Sequence, residues 1–310
     1  MKIGLHSVSY SGTWGGQACL GLDAFIRKTA DLGFEAVELA AKRPHASPLD
    51  MGRRERKAIR SRLEASGMLL SCMASYHDFA PFFAHGDMAY LEKELVYLDA
   101  VLEMSKDLGA GLVRVYTGYA KDGVPYRAQW ERCVAGIKEG ARRAAVYGIS
   151  LGVQNHSCIA CHPDSLLDFL AEVDEPNVKV ILDAPYIANL DLPLRETVLK
   201  FKGLVAHSHL TDFIRRQKYR YVPETVTYEP DGLEMIAVPV GRGSTDYREF
   251  IAALVEIGYD GVLSYEMCSP LVGGGSEANL DRTAKEALSA VREILAATGA
   301  RRSDSREEAP

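Results

Sequence analysis

Apolar and polar positions along this chain fall into two alternating periods. Four stretches share one layout: "LGFEAVEL" (Leu32–Leu39), "LGAGLVRV" (Leu108–Val115), "YGISLGV" (Tyr147–Val153) and "IGYDGVLSYE" (Ile257–Glu266), with "SGMLLSCMAS" (Ser66–Ser75) a looser fifth. In each, an apolar residue ends a helical pattern, a Gly follows, and a run of strand-forming residues begins. Glycine supplies the left-handed conformation that stops a helix, and near-continuous Val, Ile and Leu suit strands buried on both faces. The spacing predicts strands near 2–8, 36–41, 68–75, 112–118, 149–156, 178–184, 204–212 and 261–267, with amphipathic helices such as "MAYLEKELVYLDAVLEMSKDLG" between them. Eight successive strand-helix units, with no Gly-x-Gly-x-x-Gly after the first strand, favour a closed α/β barrel over an open doubly wound sheet. The one long interruption, Phe213 to Ala237, follows the seventh strand and reads as an insertion.

Composition narrows the picture. A chain of 310 residues, 47% apolar and 25% charged, buries a large core. Residues 1–300 are expected to form one barrel, and the polar tail "RRSDSREEAP" (301–310) a disordered end. The net charge of −6 makes nucleic acid a poor partner. The N-terminal "MKIGLHSVSY" carries no apolar stretch for a signal peptide or membrane span, so a cytoplasmic protein without membrane association is expected. Its cysteines (Cys19, Cys72, Cys133, Cys158, Cys161 and Cys268) then read as reduced thiols.

In an α/β barrel, chemistry gathers at the C-terminal strand ends. His6, His156, His207 and His209 lie on or at the end of predicted strands, while His45, His77, His85 and His162 lie in the loops that follow. Gln154, Asp183, His209 and Glu266 stand on four consecutive strands, separated by 29, 26 and 57 residues. Such a nitrogen-and-oxygen set with two carboxylates suits one divalent ion, Mn²⁺ foremost, with Mg²⁺, Co²⁺ or Zn²⁺ as alternatives. The alternative reading is that Asp183 and Glu266 make salt bridges at strand ends and His209 caps a loop. An aromatic set of Trp14, Tyr76, Phe79, Phe82, Phe83 and Tyr186 could stack on a substrate or simply cover the barrel top. "CIACH" (Cys158–His162) fits a haem-attachment pattern, but loop thiols are the expectation. The basic run "RRQKYR" (Arg215–Arg220) reads as a solvated insertion with one substrate-facing Arg.

The series "GFEAVEL", "LGVQNH", "VILDAPY", "HSHLTDF" and "GVLSYEM" resembles the xylose-isomerase-like TIM barrels, (β/α)8 sugar isomerases and epimerases with a Glu-Asp-His-Glu metal site. The resemblance spans nearly the whole chain. It implies that Asp183, His209 and Glu266 are metal ligands and that Arg215 touches substrate. Where the family has Glu, this chain has Gln154; where ketose 3-epimerases have a His and a further Glu, it has Tyr186 and Ala160. An amide cannot take a proton, so the symmetric two-glutamate chemistry of those epimerases is weakened.

His156, read as sharing a strand face with Gln154, offers one base instead, with Glu266 managing the other proton; the competing reading is that His156 orients Asp183 or a loop carbonyl. "QNH" together with "HSVSYSGTWGGQ" also resembles the α subunits of C-glycoside deglycosidases, which cleave 3-keto C-glycosides by β-elimination. That lyase reading is favoured narrowly over a sugar isomerase or epimerase, with a non-catalytic barrel subunit as a further alternative. His6, Trp14, His45, His77, Tyr186 and Arg215 are the expected substrate contacts. The expected partners are a sugar or glycoside, a small second subunit, and further copies of the chain.

Overall fold

The computed structural model describes residues 1–81, 89–156 and 159–298. Eight parallel strands close into a barrel: β1 (Lys2–His6), β2 (Ala36–Ala40), β3 (Leu69–Ala74), β4 (Leu112–Val115), β5 (Ser150–Gln154), β6 (Val178–Asp183), β7 (Val205–Leu210) and, after an excursion, β10 (Val262–Tyr265). Each pairs with its sequence neighbour, and β1 closes on β10 through Lys2 opposite Val262 and Leu5 opposite Tyr265. Outside lie α1 (Leu22–Leu32), α2 (Arg53–Ala65), α3 (Ala89–Leu108), α4 (Tyr126–Val146), α5 (Pro163–Val173), α6 (Ala184–Asn189), α7 (Leu194–Lys200), α8 (Tyr247–Glu256) and α9 (Glu277–Ala297).

The Gly-marked joints do what the sequence predicts. Gly33, Gly67, Gly109, Gly148 and Gly258 have φ of 89°, 63°, 87°, 69° and 78°, a region that costs other L-residues about 1–2 kcal/mol. The strands they release are buried on both faces, and one contiguous apolar core runs from Met1 to Ile294.

Five strands end two or three residues earlier than predicted: β1 at His6, β4 at Val115, β5 at Gln154, β7 at Leu210 and β10 at Tyr265. β5 stops at Gln154 because the Asn155 side chain takes over the pairing with β6: its Oδ1 accepts from Asp183 N at 2.7 Å and its Nδ2 donates to Asp183 O at 3.3 Å. His156 N turns back to Gln154 O at 2.8 Å, so His156 lies in a turn and does not share a strand face with Gln154. β7 ends at Leu210, and the insertion is an antiparallel ribbon of β8 (Asp212–Val222) and β9 (Thr227–Val238), buried only at its root. No helix among the described residues is long and apolar enough to cross a membrane. Phe82, Phe83, His85, Cys158 and the tail 301–310 lie outside the described residues.

Candidate functional site

Polar side chains from seven of the eight barrel strands converge inside the C-terminal mouth of the barrel. Asp183 and Gln154 are the last residues of their strands, His209 sits one from the end of β7, and Glu266 follows β10, fixed by Glu266 N donating to Leu210 O at 2.9 Å. The ligand atoms of Asp183, His209 and Glu266 all lie within 4.8 Å of one another. His209 Nδ1 is 3.3 Å from Glu266 Oε2 and 4.0 Å from Asp183 Oδ2. Asp183 Oδ1 is buried without a hydrogen-bond partner, a position that polar atoms rarely occupy unless something else binds there. The donor set and this orphaned oxygen fit a hard or borderline divalent cation.

The far side of His209 is built differently. Its Nε2 lies 2.9 Å and 3.1 Å from the two oxygens of Glu38, which also meets His207 Nε2 at 3.0 Å and His6 Nε2 at 3.5 Å. His6 accepts from Val8 N through Nδ1 at 3.0 Å, so its Nε2 carries the proton toward Glu38 and, at 3.9 Å, Glu266. Burial works to raise the Glu38 pKa, but the imidazoles of His209, His6 and His207 outweigh it and hold the carboxyl well below its usual range. Glu38 thus stands behind His209 as an orienting carboxylate. His207, His209 and Glu38 also form a second group of metal-capable atoms that shares His209 with the first.

Gln154 presents its amide nitrogen to the cluster. Nε2 donates to Asp183 Oδ2 at 2.9 Å and lies 3.0 Å from His209 Nδ1, while Oε1 accepts from Arg114 Nη1 at 3.2 Å. The acceptor at Asp183 and the donor at Arg114 fix this orientation; in the neutral ring, the form that can take a cation, His209 Nδ1 then faces the amide as an acceptor and the ring proton is on Nε2, toward Glu38. Burial raises the Asp183 pKa to about 7, opposed by His209 and supported by Glu266. Burial opposes the charge on His209, yet Glu38 and Glu266 carry its pKa up to about 9.

His156 stands at the rim of this cluster, with its ring 4.5 Å from that of Tyr186 and 5.0 Å from that of Tyr116. Burial lowers its pKa to about 4, so the ring is neutral near pH 7. Tyr186, on α6, is therefore at the mouth.

The other expected substrate contacts divide. His6 lies within the cluster. His45 packs behind it against Phe25, at 5.7 Å between rings, where burial lowers its pKa to about 4. His77 is turned away: its Nδ1 meets Ser75 Oγ at 2.7 Å and its ring stacks on Phe79 at 5.4 Å, within the layer between barrel and helices. Trp14 is half-buried in the loop after β1, and Arg215 is exposed on the ribbon, donating to Asn189 Oδ1 at 2.9 Å. His162 caps α5, accepting from Asp164 N, which accounts for the end of the Cys-x-x-Cys-His run. Beside the mouth lies a cavity of about 850 Å³, walled by Lys42, Pro48, Leu49, Tyr76, Val96 and Tyr97. Lys42 Nζ sits 3.8 Å above the Tyr76 ring on that wall.

Glu38 and Arg114 were not among the residues singled out from the sequence. Each is a charge inside an otherwise apolar strand, "AVELA" and "LVRV", and a charge in a doubly buried strand must have a partner.

Comparison with known proteins places the chain in a family. Fructoselysine 3-epimerase of Escherichia coli O157:H7 is 22% identical over 259 residues, covering 81% of this chain and 87% of that protein. D-psicose 3-epimerase of Ruminiclostridium cellulolyticum is 25% identical over 327 residues, covering 95% and 98%. A crystal structure of D-psicose 3-epimerase in the presence of D-fructose superposes with a TM-score of 0.74 at 22% identity, covering 95% of this chain and 99% of that one. Residues 26–294 match the model of one family, and the chain belongs to it: the xylose isomerase-like TIM barrels.

Proposed function

We propose that the protein is a divalent-metal-dependent carbohydrate enzyme of the isomerase/epimerase class, which removes a proton from the carbon beside a sugar carbonyl. The observation that carries this reading is the convergence of Asp183, His209 and Glu266 around an unpartnered carboxylate oxygen, with a neutral imidazole at the rim. A divalent cation bound there would supply Lewis acidity toward the sugar's oxygens. His156 takes the proton, a step its neutral state allows, and Glu266 is placed to handle the second proton on the oxygen or carbon. The two groups differ in kind, because the amide at 154 offers no base. The names of the relatives, which act on psicose and fructoselysine, support this class ahead of the lyase reading.

Elimination from a 3-keto C-glycoside is the second reading. It is favoured by the single imidazole base and by the largely apolar cavity beside the mouth, which exceeds what a free ketose needs and would house an aglycone. Incubation with Mn²⁺ in D₂O separates the readings. A ketose panel of D-fructose, D-psicose and fructoselysine is expected to take up deuterium beside the carbonyl and yield an isomer that differs in mass only by that label. Release of an aglycone from a 3-keto C-glycoside instead would establish the lyase. A protein that retains no ion and catalyses no exchange is the non-catalytic barrel.

A further inference from the structure

Arg114 heads the largest side chains that are fully buried, and it sits in the middle of β4 among Leu112, Val113 and Val115. Its guanidinium donates to Gln154 Oε1 at 3.2 Å and to the Ser75 carbonyl at 3.0 Å, and lies 4.8 Å and 4.4 Å from the ring centres of Tyr76 and Tyr116. Among the described residues no carboxylate stands within 4.0 Å of it. Glu266 and Glu38 act on the guanidinium only through space, so its direct hydrogen bonds run to neutral acceptors, Gln154 Oε1 among them.

We infer that Arg114 decides how strand five serves the cation site: by holding the amide oxygen, it turns the amide N–H₂ onto the lone pairs of Asp183 and His209 and so opposes their use as ligands. This rests on the metal reading above. A carboxylate at 154 would escape the conflict, since one oxygen could meet the guanidinium and the other the cation. An amide has a single oxygen, and turning it over would set N–H₂ against the guanidinium, donor against donor. The working protein ligands are then Asp183, His209 and Glu266, and Gln154 is a brake on loading whose strength is set by its contact with Arg114.

The test is Mn²⁺ affinity of the full chain, measured from free Mn²⁺ by electron paramagnetic resonance, for wild type, R114M, Q154A and the double variant. Loss of a nearby positive charge tightens binding in any background, whereas release of the brake tightens it only where Gln154 is present. R114M is expected to tighten binding about thirtyfold with Gln154 and about threefold in Q154A, a coupling of the size contacting residues show. Should R114M fail to fold, R114K keeps the charge without the planar fork and is expected to tighten binding several-fold only beside Gln154. Q154E with Arg114 retained is expected to tighten it at least about tenfold. Equal factors in both backgrounds, or weaker binding by Q154E, overturn the inference while leaving the cation site standing. If no variant holds Mn²⁺, the metal reading itself falls.

Discussion

The two faces of the His209 ring meet carboxylates of opposite character. On the Nε2 side Glu38 is fully enclosed, met by three imidazoles and held well below the usual carboxyl range. On the Nδ1 side Asp183 keeps one oxygen unpartnered, and burial lifts its pKa to about 7. One carboxylate has its needs met by the protein; the other is left for something the protein does not supply. The same functional group at the same depth therefore orients a ligand on one side and offers itself as a ligand on the other.

Exchanging the charge on each side breaks this contrast most directly. D183N is isosteric, and is expected to lower Mn²⁺ affinity by more than about a hundredfold and to remove turnover, read by metal titration and product formation. That exceeds the range usual for residues behind a ligand. His156→Ala is expected to lower kcat about 10²–10⁴-fold while metal affinity stays within about threefold, because the base touches the substrate and not the ion. Unchanged turnover would assign His156 an orienting role. E38Q keeps the shape behind His209 but loses the anion, and should cost about 10–100-fold in metal affinity.

Acidity sharpens the comparison further. Asp183 has its pKa raised on folding, so in the metal-free protein it contributes stability that is full below the unfolded value of about 4 and is lost as pH climbs through about 7. Glu38 has its pKa lowered, so its contribution is present above the ordinary carboxyl range and is lost as pH falls toward its folded value. With a chelator present, wild type should therefore lose stability relative to D183N between pH 4 and 7, on the order of 3 kcal/mol, as read from denaturant melts. Mn²⁺ affinity should rise by about ten- to a hundredfold per pH unit through that window, because Asp183 and His209, both with raised pKa, must release their protons to bind. The smallest effect belongs to the ribbon tip. Replacing residues 218–230 by a two-residue turn should leave Mn²⁺ affinity within about twofold, since Lys218 to Pro230 are exposed except at Val222.

What the sequence discloses, and what it hides, follows the same division. The barrel was legible because five helix-to-strand joints marked in the sequence carry a Gly at positive φ, although Asp174 takes that conformation before β6, and Gln154, Asp183, His209 and Glu266 could be placed on successive strands by their spacing alone. Sequence reading placed His156 on the wrong element, because a side chain, that of Asn155, ends β5 by imitating backbone pairing. Period-two reasoning cannot anticipate that substitution. His77 and His156 both follow strand ends, yet one turns inward to Ser75 and Phe79 while the other faces Tyr116 and Tyr186; only packing separates them. Glu38 and Arg114 lie inside their strands rather than at the ends, and their signal in the sequence is a charge where the pattern allows none. The amide orientation at Gln154 depends on Arg114, 40 residues earlier in the chain, and becomes readable only when both side chains are in place.

Asp212 ties both feet of the β8–β9 ribbon at one point. Its carboxylate accepts from the backbone N–H groups of Phe213, Gly241, Gly243 and Thr245, and a side chain at Gly243 would collide with it. Whatever lies between those feet can lengthen, shrink or change its sequence without passing strain to the catalytic end. Descendants of this protein thus have a place to acquire new surface contacts while the older chemistry beneath is left undisturbed.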